Sequence, residues 1–153
     1  MGELWRRAEV SAAASRRHLE ALASVTLKTP VGQVSASICR AVVKDGRRQR
    51  ALNPWSEPDA ALLAAISRGE YTLNGLRNCD LRRQRWPKVG TDQEERRRAG
   101  VVTRQLRLLR AHGLRRKVSG THRYVVSAGG RKIITALLAA RQADVEQLTA
   151  LAA

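Results

Sequence analysis

Apolar residues recur at helical spacing along most of this chain, interrupted at a few places by proline, glycine and short alternating runs. Residues 3–25 (ELWRRAEVSAAASRRHLEALASV) predict a helix: Ala, Leu, Arg and Glu are strong helix formers, and neither Pro nor Gly breaks the run. Thr29-Pro30 predicts the start of a second, short helix to about Ile38, with Thr29 as cap. Val42 and Val43 lead into Asp45-Gly46 and a basic run, the signature of a hairpin. The segment 53-NPWSEP-58 is a punctuated joint. It predicts a boundary between an N-terminal helical extension, 1–55, and a second unit, 56–153.

Beyond the joint the signals tighten. Ser56 predicts a cap, with Asp59 in the capping-box position, for a helix ending near Gly69. Tyr71-Thr72-Leu73 predicts a short extended piece before Asn74-Gly75. A helix over LRNCDLRRQRW follows, with Asn78 as cap, and Trp86-Pro87 ends it. Thr91 and Glu94 form a second capping box, opening a long helix that closes at Gly113, a residue suited to a left-handed cap. The segment 114-LRRKVSGTHRYVVS-127 predicts two strands around a turn. Leu114, Arg116 and Val118 share one face of the first strand; Tyr124 and Val126 share one face of the second. Residues 131–151 predict a last helix with Ile134, Leu137, Leu138, Val145 and Leu148 on one stripe. From Ser56 the order is helix, short strand, helix, helix, hairpin, helix. The expected fold is therefore mainly α with a small β-hairpin wing: a winged helix-turn-helix preceded by a helical extension.

Composition narrows the class. With 153 residues and 43% apolar content the chain can build a core, and with no Phe and 3% aromatics that core is aliphatic. No apolar run is long enough to span a bilayer, and MGELWRRAEV has charges where a signal peptide needs its apolar stretch. A cytoplasmic, nucleoid-associated place is expected. Cys39 and Cys79 have neither disulfide-framework nor metal-knuckle spacing, and with His18, His112 and His122 they form no metal-ligand pattern. No catalytic motif occurs, so neither an enzyme nor a cofactor is expected.

Charge changes the picture most. The net charge is +16, and residues 71–127 hold 15 basic against 4 acidic residues. Arginine dominates, which favours forked contacts to phosphate or guanine. A double-stranded DNA partner is expected. On the long helix Val102, Leu106 and Leu109 fall on one face. Arg96, Arg97, Gly100, Thr103, Arg104 and Arg107 fall on the opposite one. Thr103, Arg104 and Arg107 are the candidates for base edges. Arg82, Arg83, Arg85, Arg96 and Arg97 are the candidates for backbone phosphates. Arg115, Lys117, His122 and Arg123 are the candidates on the wing. An ordinary solvated arginine face is the plainer alternative, with Glu94–Arg98 as an ion pair one turn apart. Asp92, Glu94 and Glu95 suit the helix dipole but would repel phosphates. Gly100 lies within this helix, where it costs about 1 kcal/mol relative to alanine. Trp5, Trp55 and Trp86 are expected as packing anchors rather than stacking platforms.

The run LRLLRAHGLRRKVSGTHRYVVSAGGRKIITALLAA resembles the MarR-like winged-helix pattern: a recognition helix, HGL, a basic first wing strand, HRYVVS, then a helix after glycine. The pieces RRAEVSAAASRRHLEALASV, GRRQRALNP and DAALLAAISRGEYTLNGLRNCDLR, together with that block, resemble the C-terminal part of longer, uncharacterised bacterial winged-helix proteins. Cys79 and Gly100 depart from that pattern, which has a polar or charged residue and a serine there. The resemblance implies transcriptional regulation and a homodimer paired through the terminal helices. It also implies an upstream region, and so leaves a second expectation open: a DNA-targeting module of a larger mobile-element or nucleic-acid-processing protein whose catalytic part lies elsewhere. A protein–protein winged helix is the third.

Overall fold

Helix signals and turn signals divide the structure cleanly. The computed structural model describes residues 30–143; the predicted helix 3–25, Trp5 and the residues 144–151 of the last helix lie outside them. In chain order come α1 (Val31–Ile38), β1 (Val42–Lys44), β2 (Arg47–Gln49), α2 (Glu57–Ile66), α3 (Glu70–Asn74), α4 (Asn78–Arg85), α5 (Asp92–Ala111), β3 (Arg115–Lys117), β4 (Tyr124–Val126) and α6 (Ala128–Gln142). The fold is mainly helical. Among the described residues the strands form two separate antiparallel hairpins, β1–β2 and β3–β4.

One aliphatic core joins these pieces. Leu63 and Ile66 of α2, Leu81 of α4, Leu109 of α5, and Ile134 and Leu137 of α6 are buried together. Ile38 and Leu52, from before the joint, belong to the same cluster. Removing one such leucine to alanine typically costs 2–5 kcal/mol. Gly130 sets how close α6 can come: a Cβ there would overlap the Leu114 carbonyl oxygen and backbone. Arg141 of α6 donates to the Trp55 carbonyl at 2.7 Å and pairs with Glu57, holding α6 to the start of α2.

Several local expectations change. The N-cap of α1 is Pro30, not Thr29. Residues 71–73 are helical, within α3; the extended pairing shrinks to Leu76, whose N–H and carbonyl both bond Tyr124 at 2.8 Å. Gly75 makes this possible, with φ +65° and no room for a side chain beside the Tyr124 carbonyl oxygen. Asn78 opens α4 rather than capping it. The reach-back comes from Asp80, which accepts from Arg77 N–H at 2.7 Å. Ser56 does cap α2, but its hydroxyl donates to the Asn53 carbonyl. Asp59 is not a capping-box partner: it is buried and accepts both Arg50 guanidinium nitrogens, at 2.7 and 2.6 Å, and Asn53 N–H at 2.9 Å. Helix α6 begins at Ala128, earlier than 131, because Ser127 caps it by accepting from Gly130 N–H. Trp55 is 52% exposed and anchors nothing in the core, whereas Trp86 packs against it.

Candidate nucleic-acid interface

The long helix α5 is the element on which the charge is arranged. Thr91 Oγ1 accepts from Glu94 N–H at 3.3 Å, and Glu94 Oε2 accepts from Thr91 N–H at 2.8 Å, so the capping box is formed. The helix runs 20 residues without a break at Gly100, and Gly113 ends it with φ +71°. A Cβ at Gly100 would meet only the Arg104 guanidinium, at 3.6 Å. Val102, Leu106 and Leu109 are buried as the spacing predicts, and Leu108 joins them.

The opposite face is open. Arg96, Arg97, Thr103, Arg104 and Arg107 are exposed. Among the described residues no carboxylate lies within ion-pair distance of Arg96, Arg97, Arg104 or Arg107. The Thr103 hydroxyl is already engaged: it donates to the Ala99 carbonyl at 2.8 Å and accepts from Asn78 Nδ2 at 3.1 Å. Asn78 also donates to that carbonyl, which stitches α4 onto α5. The hydroxyl has no donor left for a base, and the Thr103 methyl group remains for an apolar contact.

One of the three carboxylates at the start of α5 is paired with arginine within the protein. Glu94 serves the capping box. Glu95, not Glu94, pairs with Arg98, at 2.8 Å, and with Arg82 at 2.7 Å. The Arg98 hydrogen bond, then the Gly90 N–H, hold the Glu95 carboxyl below its ordinary pKa. Arg98 also donates to the Lys88 carbonyl at 2.9 Å, and with Arg85 it lies over the Trp86 ring. Asp92 and Glu94 remain as exposed carboxylates on that turn, outside any ion pair of the described residues, with Glu94 held in the capping box.

The other expected contacts divide accordingly. Arg82 is turned inward to Glu95 and is not free to position a phosphate. Arg83 and Arg85 are exposed on α4. On the β3–β4 hairpin, Lys117 and His122 are exposed, and so is Arg116, which alternation assigns to the core face with Leu114. Arg115 is the inward residue instead, only 8% exposed. Its Nε donates to the Leu106 carbonyl at 2.6 Å and its guanidinium lies 4.0 Å from the centre of the Tyr124 ring. Burial pushes its pKa down to about 10, so it stays charged at neutral pH. Arg123 donates to the Asn74 carbonyl at 2.6 Å, tying the hairpin back to the end of α3. Sequence reasoning missed Arg116 as an outward residue. The signal for it lay across the hairpin: Arg116 faces Val125, while Arg115 faces Val126 and so lies on the same face as Tyr124, its diagonal neighbour two positions away.

No family model, no curated protein and no solved structure matches the chain. Among the described residues no helix is long and apolar enough to cross a membrane.

Proposed function

We propose that the chain binds double-stranded DNA, with the outward face of α5 in the major groove and the β3–β4 hairpin against the adjoining backbone, and that it acts in transcriptional regulation as a MarR-like winged helix. The carrying observation is the row Arg96, Arg97, Arg104 and Arg107: exposed, free of carboxylates among the described residues, and on one face of a helix whose other face is in the core. An α-helix fits the B-DNA major groove, and arginine pairs bidentately with guanine there. The groove of duplex RNA is too deep and narrow for a helix. Single-strand binders rely on several exposed stacking aromatics; here Tyr71, Trp86 and Tyr124 pack against the core, and among the described residues Trp55 alone is an exposed aromatic. Arg83, Lys117, Arg116 and His122 supply backbone contacts around the helix.

Affinity for duplex DNA, single-stranded DNA and duplex RNA across a salt series tests this. Duplex DNA is expected to bind best, with a log–log slope near −0.9 for each phosphate neutralised. No binding at low salt, or tighter binding of single strands or RNA, overturns the proposal.

A further inference from the structure

The first hairpin carries a second basic surface. Asp45 (φ 52°) and Gly46 (φ 70°) both adopt the left-handed region, the geometry of a tight two-residue turn. The hairpin pairs Val42 with Gln49, Val43 with Arg48 and Lys44 with Arg47. Strand β1 packs on α5. Between them opens a cleft of about 310 Å³ lined by Lys44, Asp45, Arg47, Gln49, Arg107 and Arg110.

The base of this hairpin is braced. Arg50 grips buried Asp59 with both guanidinium nitrogens. The Arg50 carbonyl accepts from the His112 ring, Nε2, at 2.9 Å, which joins it to the end of α5. Leu52 N–H bonds the Ile38 carbonyl at 2.9 Å. The cleft is thus held in place from the C-terminal end of β2.

Its electrostatics are unbalanced. Lys44 and Arg47 stand directly opposite each other, an arrangement that weakens a strand pair. The lining has four cationic side chains and one carboxylate, Asp45, which sits 3.8 Å from Arg110. A bound anion would relieve that repulsion. Helix α5, 20 residues long, spans about 30 Å. A straight helix of that length leaves the curving major groove at one end and there meets a phosphate strand. The C-terminal end, beside this cleft, is the basic one; the N-terminal end carries Asp92.

We propose that the cleft between the β1–β2 hairpin and the C-terminal half of α5 holds backbone phosphate of the same duplex, with Lys44 and Arg47 as its new contacts. This rests on the reading of α5 as the DNA-facing helix.

The test compares two pairs of substitutions that remove equal charge from the full chain. Lys44→Ala/Arg47→Ala empties the cleft wall; Arg40→Ala/Arg48→Ala removes two exposed arginines that do not line it. Binding of random-sequence duplex DNA is measured across a salt series. The first pair is expected to lower the magnitude of the log–log slope by about 2 and the affinity at ~0.15 M salt by tenfold or more. The loss should be the same for all duplex sequences, because phosphates carry no base identity. The second pair should change the slope by less than half as much. A Lys44→Gln/Arg47→Gln pair, which removes the charges but keeps a polar side chain with part of each stem on a three-residue strand, should repeat the first result. Equal effects from the two alanine pairs, or a wild-type slope in the Lys44/Arg47 variants, overturns this site alone. Absence of any duplex binding by the wild-type chain overturns the reading of α5, and this site with it.

Discussion

The two hairpins of this protein have the same length of strand and opposite uses of arginine. In β3–β4 the first strand turns Arg115 inward, onto Tyr124 and the Leu106 carbonyl, and Arg123 is tied to Asn74. In β1–β2 all four charged strand residues and turn residues, Lys44, Asp45, Arg47 and Arg48, are exposed. One hairpin is fastened through its cations. The other is fastened behind them, through Arg50 and Asp59, and leaves its cations free. Charge counts treat the two alike. What separates them is whether a buried carbonyl or ring lies within reach of the guanidinium.

The largest expected effect sharpens this contrast at the root of β3. Gly130→Ala should destabilise the fold by about 3 kcal/mol or more, because the new Cβ would meet Leu114 backbone that cannot move aside. Chemical denaturation measures it. Gly46→Ala in the other hairpin has open space around it and meets only the strain of its positive φ, about 1–2 kcal/mol. Equal losses at the two glycines would break the comparison.

Arg115→Ala should come next, at about 2 kcal/mol, from the lost hydrogen bond, the lost ring contact and the lost packing of its stem. Exposed Lys117→Ala, two residues on, should stay within about 0.5 kcal/mol while weakening duplex binding. A destabilising Lys117 and a neutral Arg115 would reverse the assignment.

Asp59→Asn should cost about 1–2 kcal/mol, discounted because its partner Arg50 is 59% exposed. The Arg50 hydrogen bonds hold the Asp59 carboxyl below its ordinary 3.8. The stability it contributes is therefore fully present above about pH 4 and lost as pH falls toward the lower folded value. The variant should lack that acid-side loss in a pH series of unfolding curves.

Part of what is local was legible, although the caps expected at Thr29 and Asn78 and the Ser56–Asp59 box were not formed. The Thr91–Glu94 box, the Asp45-Gly46 turn, Gly113 and the buried face of α5 follow from neighbours within four residues. The same box also implied what was overlooked: a Glu94 that caps the helix is not free for Arg98, so the ion pair falls to Glu95. Arg115, Arg123 and Arg82 were illegible for a different reason. Their partners, Leu106, Asn74 and Glu95, come from other elements, and strand alternation or helical spacing alone does not place them. The extended piece expected at Tyr71-Thr72-Leu73 failed likewise: those residues are helical, and the one bridge, Leu76 to Tyr124, leaves almost no pattern. Thr103 was placed on the right face, but its hydroxyl was claimed by Asn78, a contact between two helices.

The central claim is that Arg104 and Arg107 face DNA rather than water. Duplex DNA affinity of Arg104→Ala/Arg107→Ala, measured beside the wild-type chain at ~0.15 M salt, tests it most directly. The expected result is a loss of tenfold or more with an unchanged thermal midpoint, because both side chains are exposed and outside the core. Wild-type binding by the double variant would contradict it.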